Sequence, residues 1–440
     1  MEEGILLVTP VVYDFIGIGL GPFNLSLAAL TDRVKEIDGL FFEQEEAFVW
    51  HPGMLIEGTD LQTPFLADLV TFADPTSPYT FINYLHSNER LYAFYFLNQF
   101  TIPRKEYSDY CNWVAHQLSH CYFNHRVTNV TETEDHLYQV TVENLLKKEV
   151  ANYLTKNLII GTGSIPMVPK GLDGDWINND ISHSSEYLFH EEQLKSGHSV
   201  TVIGSGQSAS EIFYDLLMDQ KYHDYELTWF TRSSGIFQKE DAKLGKEFFS
   251  PEYIHYFHQL DFDNRLEALD SLNQLRNGID PETLKKIYNL LYHRSISGEK
   301  LNVTIQPLTE ANKIEKIENT YHLHCQQWQQ KKKFIHQTEK VVLATGYKPA
   351  LPNWLSQFAN EIIWEDNKRF KVTENYQIDF KKKKTNQIYT LTNIEHSHGA
   401  SATNLGLSVF RNQKIINSIA GKEIYPEPTK TVFQQFSPKH

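Results

Sequence analysis

Two glycine-rich turns carry residue types and spacings suited to chemistry in this 440-residue chain. In the first, an apolar run from Val12 enters Gly17-x-Gly19-x-Gly21. Pro22, Phe23 and Asn24 follow, and a helical pattern through Leu25, Leu27, Ala28 and Leu30 begins at once. Strand, glycine turn and helix in that order are the context of a dinucleotide fingerprint. Gly17 permits the tight turn, and Gly19 lets the backbone approach a pyrophosphate at the helix N-terminus, where free N–H groups and the helix dipole favour anions. Pro22 fits the first helical turn, where its missing N–H costs nothing. The next strand, Gly39-Leu40-Phe41-Phe42-Glu43, ends in a carboxylate 26 residues after Gly17, available for a ribose hydroxyl pair.

The second turn repeats the plan with different chemistry. Ser199-Val200-Thr201-Val202-Ile203 reads as a strand, Gly204-Ser205-Gly206-Gln207-Ser208-Ala209 as the turn, and Ser210-Glu211-Ile212 opens a helix. The following strand, from Glu226 to Ser233, carries Arg232 at its end. A guanidinium there can pair with a 2′-phosphate, which favours NADPH over NADH. Two fingerprints, one ending in an acid and the other in a base, imply FAD in the first and NADPH in the second.

The rest of the chain has to position these turns. Hydrophobic residues make up 41% and aromatics 13%, ample for two or three subdomains at this length. A formal charge of -14 argues against a nucleic-acid surface and against binding to anionic membranes. Cys111, Cys121 and Cys325 have no metal or redox spacing and read as buried, reduced thiols. Glu2 and Glu3 stand where a signal peptide would be basic, and the apolar stretch before Val12 is too short for a membrane span. The expectation is a soluble, cytoplasmic enzyme.

The expected fold class is α/β, with two Rossmann-like dinucleotide-binding domains, for FAD and NADPH, and a small mainly helical substrate domain. Residues 1–165 are allotted to the first part of the FAD domain, and 166–235 with 301–340 to the NADPH domain. Residues 236–300 form a helical substrate or cap region with helix starts at Pro251 and Pro281. Residues 341–425 are the return of the FAD domain and the closure over substrate, and 426–440 are a loosely ordered tail. The run Lys340 to Ala344, ending in Thr345-Gly346-Tyr347, reads as a buried strand that rejoins a parallel sheet. Lys381 to Lys384 read as a solvated hairpin turn. His396 and His398 lack a third ligand at metal spacing, so they are expected as polar loop histidines lining a site and no metal is expected.

Several motifs now stand in order: Tyr13-Asp14-Phe15-Ile16-Gly17 through Asn24-Leu25, Trp50-His51-Pro52-Gly53-Met54, Leu61-Gln62-Thr63, Phe81-Ile82-Asn83-Tyr84-Leu85, Gly204 to Ala209, and Ala344-Thr345-Gly346-Tyr347. Together they resemble the class B flavin N-hydroxylating monooxygenases of siderophore biosynthesis, the lysine/ornithine N-monooxygenase family, over residues 12 to 420. The resemblance implies NADPH- and O2-dependent hydroxylation of a primary amine by a flavin C4a-hydroperoxide, giving a hydroxylamine. The protein then binds, aligns and excludes water, and no side chain is expected to be catalytic in its own right. The resemblance puts Trp50, His51 and Gln62 along the flavin and Arg232 on the NADPH phosphate. It puts Thr345, Gly346 and Tyr347 beside both nucleotides, and Asn404, Leu405 and Gly406 over the flavin and the amine. The expected partners are the amine and O2, with a homo-oligomer (dimer or tetramer) left open.

One departure bears on substrate. Amino-acid hydroxylases of this family carry a lysine after the Gln-x-x-Phe-Leu segment, where it binds the substrate carboxylate; here that position is Ala67. Burying an unpaired carboxylate costs several kcal/mol or more. A decarboxylated amine is therefore expected, either histamine or a diamine such as putrescine or cadaverine. L-Lysine or L-ornithine is the alternative. Substrate-facing candidates are Gln62, Ala67, Lys246, Asn277 and Asn404, with Asp241 and Glu247 in the same helical segment. A flavin disulfide reductase would need a close cysteine pair, which the chain lacks. A Baeyer–Villiger enzyme would need a Phe-x-Gly-x-x-x-His motif, of which His183 to Tyr187 resembles only the end. A non-enzymatic redox sensor is the reading from another class.

Overall fold

A strand that is apolar at successive positions has to be covered on both faces, and the first strand is. In the computed structural model, which describes residues 11–177, 180–298 and 300–438, β1 (Val12–Ile18) is buried from Phe15 onward. The reading of Glu2 and Glu3 lies outside the described residues. Beside β1 run β2 (Gly39–Phe42) and, beyond it, β3 (Cys121–Tyr122), all parallel. An antiparallel pair, β4 (His125–Glu132) and β5 (Tyr138–Asn144), leads into the long β6 (Glu149–Ile160). The sheet order is β3-β2-β1-β6-β5-β4. α1 (Pro22–Thr31), entered with proline in its first turn, packs on this sheet with buried Leu25, Leu27, Ala28 and Leu30. α2 (Arg104–Ala115) follows on the same core.

The second sheet is wholly parallel, in the order β7-β11-β8-β9-β10. Its strands are β7 (Ile181–His183), β8 (Ser199–Ile203), β9 (Glu226–Phe230), β10 (Val303–Gln306) and β11 (Lys340–Leu343). α3 (Gln207–Asp219) covers it with Ile212, Phe213, Leu216 and Leu217. Between β9 and β10 the chain is helical, with α4 (Pro251–Gln259), α5 (Phe262–Ser271) and α6 (Pro281–Arg294). Pro251 and Pro281 open their helices behind the caps Ser250 and Asp280, whose side chains accept from Tyr253 N and Thr283 N. Residues 309–338 form an antiparallel three-stranded meander. A last strand, β12 (Ile388–Thr390), returns to the first sheet and pairs in parallel with the end of β6, and α7 (Ser408–Ala420) packs against α1.

Five expectations are corrected. Lys340–Leu343, allotted to the first sheet's return, lies between β7 and β8 in the second sheet, and Ile388–Thr390 makes the return. The tail is docked: Thr431 pairs with the Glu252 carboxylate, and Phe436 packs on Phe248, Tyr253 and Tyr256 at 5.3, 5.0 and 6.0 Å. His396 and His398 belong to a buried turn. His396 Nε2 meets the Phe370 carbonyl at 2.8 Å, and the His398 ring stacks on Tyr376 at 4.0 Å. Lys384 is not solvated like its neighbours, being largely buried between Glu132 and Glu361. β9 ends at Phe230, two residues short of Arg232.

Candidate active site

Both glycine turns leave a cradle at a helix N-terminus. A Cβ on Gly21 or on Gly206 would meet nothing within 4 Å, and neither glycine, as N-cap, offers a side chain to the first-turn N–H groups. Those donors are free for an anion such as a pyrophosphate, so the residues present fit two dinucleotides. The other glycines make the turns tight. Gly19 has φ +82 and a Cβ there would lie 2.6 Å from the Gly161 carbonyl oxygen; at Gly204 the Ala344 oxygen would be 2.2 Å away. Gly17 is buried, and a Cβ there would strike the Phe41 ring.

The side chains around the first turn divide into those that shape it and those open to a ligand. Asn24 is fully buried, and its Nδ2 donates to the Gly19 carbonyl at 2.6 Å, so it holds the turn from behind. Phe23 lies under the Arg411 guanidinium, 4.4 Å from its ring. Glu43 accepts from Leu20 N at 2.7 Å and from Glu45 N at 3.0 Å, which fixes its carboxylate beside the turn with lone pairs to spare. Leu20, between the glycines, is buried.

Around the second turn Ser205 and Ser208 are half-buried, while Gln207 is fully engaged. Its Oε1 accepts from Asp280 N at 2.8 Å and its Nε2 donates to Glu211 at 2.9 Å. Arg232 is exposed and makes one long contact, 3.4 Å to Glu310. That leaves its guanidinium available to a phosphate.

Between the turns, Trp50, His51 and Tyr347 come together. The Trp50 and His51 rings are 4.7 Å apart and His51 to Tyr347 is 5.7 Å. Burial, helped by the nearby Arg104 charge, lowers the His51 pKa to about 4. The loop carrying Tyr347 is pinned: Thr345 Oγ1 donates to the Met167 carbonyl at 2.5 Å, and Gly346, at φ +85, accepts from Met167 N at 2.9 Å. Its carbonyl also meets His183 Nε2 at 3.0 Å.

The substrate candidates fall into two groups. Ala67 is buried, and a Cβ built on Gly406 would be 3.1 Å from its own Cβ and 3.1 Å from Asn404 Oδ1. Asn404 caps the turn Leu405–Leu407 by accepting from Gly406 N at 2.8 Å. Gln62 lies exposed on the strand Asp60–Pro64, which packs against that turn. The second group lies on the helical segment with its polar ends already used. Lys246 is ion-paired with Asp241, Asn277 donates to Asn273 at 2.5 Å, and Glu247 accepts from Phe433 N and Gln434 N of the tail at 3.1 and 3.0 Å.

Sequence reasoning missed three residues that join the pieces. Arg104 donates to the Met54 carbonyl at 3.1 Å and to Glu211 at 2.9 Å, linking α2 to α3. His183 holds the Gly346 loop. Arg411, fully buried, donates to the Ala402 carbonyl at 2.6 Å and so ties α7 to the closing segment. A lone arginine in a helical pattern carries no local signal for such a role. Among the described residues no group of three or more His, Cys, Asp or Glu could hold a metal, and no helix is long and apolar enough to cross a membrane.

Two nucleotide cradles, one on a mixed sheet and one on a parallel sheet, with an aromatic junction between them, define a two-dinucleotide flavoprotein oxidoreductase of the α/β class. The chain belongs to the L-lysine 6-monooxygenase/L-ornithine 5-monooxygenase family, whose profile matches residues 11–349. It is 37% identical to a putrescine N-hydroxylase of Acinetobacter baumannii over 97% of this chain and 94% of that one. It superposes on an FAD-bound cadaverine monooxygenase of the desferrioxamine pathway of Erwinia amylovora with a TM-score of 0.93, at 38% identity, covering 98% and 99% of the two chains. An ornithine N-hydroxylase of Kutzneria, solved with reduced FAD, NADP+ and L-ornithine, matches with a TM-score of 0.86 at 26% identity, over 93% of this chain and 99% of that one.

Proposed function

We propose that this protein is an FAD- and NADPH-dependent monooxygenase that N-hydroxylates one amino group of an aliphatic diamine, of the putrescine or cadaverine class, for siderophore biosynthesis. Membership of the family and the diamine-acting relatives support the reaction and the diamine; no relative reported above acts on histamine. The observation that carries the substrate reading is the position of Ala67, whose methyl would lie 3.1 Å from a Cβ added at Gly406. At the wall beside Asn404 there is a methyl group where the amino-acid enzymes have an ammonium, so a substrate carboxylate would go unpaired.

When bound, FAD supplies the redox chemistry, taking a hydride from NADPH and activating O2 for transfer of one oxygen atom to nitrogen. The chain's own residues bind and align. In this reading Gly19, Gly21 and the first turn of α1 take the FAD pyrophosphate and Glu43 the ribose. Gly206 and the start of α3 take the NADPH pyrophosphate, and Arg232 its 2′-phosphate. Trp50, His51 and Tyr347 wall the flavin, with His51 neutral at pH 7 so that no charge is added beside the ring. Gln62, Asn404 and Gly406 close over the reacting amine and exclude water.

The experiment is product detection, not NADPH loss, since peroxide release also consumes NADPH. Purified holoenzyme with NADPH and O2 should give hydroxylamine from putrescine or cadaverine. NADPH oxidation without hydroxylamine from either diamine would remove the proposal.

A further inference from the structure

The turn that carries His51 rests on the unit built around the second sheet. A Cβ on Gly53 would lie 1.9 Å from the carbonyl oxygen of Ser185, in the turn after β7. Met54 and Ile56, just beyond, are buried in that unit's core with Tyr187, Ile212 and Phe213. Arg104, at the start of α2, fastens the same turn to α3. Its Nη1 donates to the Met54 carbonyl at 3.1 Å and its Nη2 to Glu211 Oε1 at 2.9 Å. The two side chains are only 14% and 3% exposed. The Arg104 N–H donates to the Thr59 carbonyl at 3.0 Å, beside the strand Asp60–Pro64 that carries Gln62. From the other side, Gln207 Nε2 donates to the same Glu211 oxygen at 2.9 Å, and its Oε1 accepts from Asp280 N. Gln207 directly follows Gly206. One guanidinium thus joins the flavin wall, the Gln62 strand and the helix under the second cradle.

We propose that Arg104 and Glu211 are positioning residues for hydride transfer: their ion pair sets the second cradle, and the NADPH in it, at its working distance from the flavin wall. This rests on the reading of FAD in the first cradle and NADPH in the second. Burial makes the pair specific. Glu211 Oε2 is buried with no hydrogen-bond partner among the described residues, so the carboxylate depends on what reaches Oε1. A buried carboxylate deprived of its counter-charge is costly, and a guanidinium meets its acceptors through a rigid fork. Met54 belongs to the flavin wall and Glu211 to the helix under the second cradle, so the fork holds those two elements in one arrangement. The reaction needs such a clamp. Reacting atoms must be held about 3–3.5 Å apart, and a misplacement of about 1 Å costs roughly a hundredfold in rate. The two nucleotides hang from different sheets, so contacts across the boundary set their separation.

Anaerobic stopped-flow mixing of the FAD-loaded protein with NADPH, without amine, isolates the step. Bleaching of the wild-type flavin by NADPH checks the underlying cofactor reading, and the variants check the inference. Arg104→Met should keep its flavin and lower the limiting rate of flavin reduction by roughly tenfold to a hundredfold. Arg104→Lys should recover part of that rate, since an ammonium restores the charge beside Glu211 without the fork. If Arg104→Met loses FAD, Arg104→Met with Glu211→Leu decides, because apolar replacement of a buried ion pair commonly preserves the fold. That double variant should hold FAD and still be reduced slowly. A limiting rate equal to wild type, in whichever of the two holds FAD, overturns the proposal. So does a change confined to the NADPH concentration giving half the limiting rate, which would make Arg104 a coenzyme ligand and not a positioning residue.

Discussion

The two glycine turns follow one plan and are finished differently. The first is fastened around its open cradle: Asn24 braces it from behind, the Gly161 backbone lies against Gly19, and Glu43 is tied to Leu20 N. The second opens onto Arg232, an exposed guanidinium with a single long contact to Glu310. A pre-fastened acid and a waiting base suit one nucleotide that stays and one that comes and goes. Preorganisation lowers the cost of binding at the first turn, and a mobile charge-assisted contact sets selectivity at the second.

The largest effect should come from placing a charge in each cradle. Gly21→Glu and Gly206→Glu both have backbone φ and space that admit a side chain, at φ -70 and -98, so both should fold. Gly21→Glu should purify without flavin absorbance. Gly206→Glu should keep its flavin and lose reduction by NADPH. Flavin retained in both, or lost from both, breaks the distinction between the turns.

Acid should act next, through the junction between them. Burial holds His51 at about pKa 4 and also lowers His183, while a histidine in the unfolded chain titrates near 6.5. Below about pH 6.5 the unfolded state takes protons the folded state refuses, so stability is full above that pH and is lost as pH falls toward about 4. For His51 the loss is at most about 3 kcal/mol over that window. Thermal melts should fall progressively from pH 7 to pH 5, and less steeply in His51→Gln. A flat profile would mean that the junction is wet.

Arg232→Ala should raise the KM for NADPH by roughly tenfold to a hundredfold, the worth of one charge-assisted contact of about 1.5–3 kcal/mol, and leave the KM for NADH nearly unchanged. Equal shifts for both coenzymes would move the phosphate role elsewhere. The smallest effect concerns neither turn. Removing residues 429–440 should raise the KM for the amine severalfold, because the tail fastens Glu247 and Glu252 in the helical segment, and should leave flavin content and the KM for NADPH alone. A change confined to NADPH would contradict that placement.

The sequence was most legible where structure is local. Both glycine turns, Pro22 and the capped helices at Pro251 and Pro281 follow from backbone chemistry within a few residues. What it hid depends on distant partners. Lys340–Leu343 and Ile388–Thr390 are both apolar strands, and nothing within either says which of the two sheets it joins. The tail reads as polar and proline-bearing, yet Phe436 and three backbone N–H groups dock it on side chains about 180 residues away. His398 reads as a loop histidine because its stacking partner, Tyr376, is remote in sequence. At the site, Ala67 was legible only against a family pattern; its place beside Gly406 is a long-range fact of the fold.

Cadaverine and L-lysine differ by one carboxylate, so their kcat/KM ratio for hydroxylamine formation reads the Ala67 wall directly. An unpaired carboxylate there costs several kcal/mol, and about 3 kcal/mol is already roughly a hundredfold. The wild type should favour cadaverine by at least that factor, and Ala67→Lys should shrink the ratio. Lysine hydroxylated as well as cadaverine by the wild type, or a ratio unmoved by Ala67→Lys, would contradict the account.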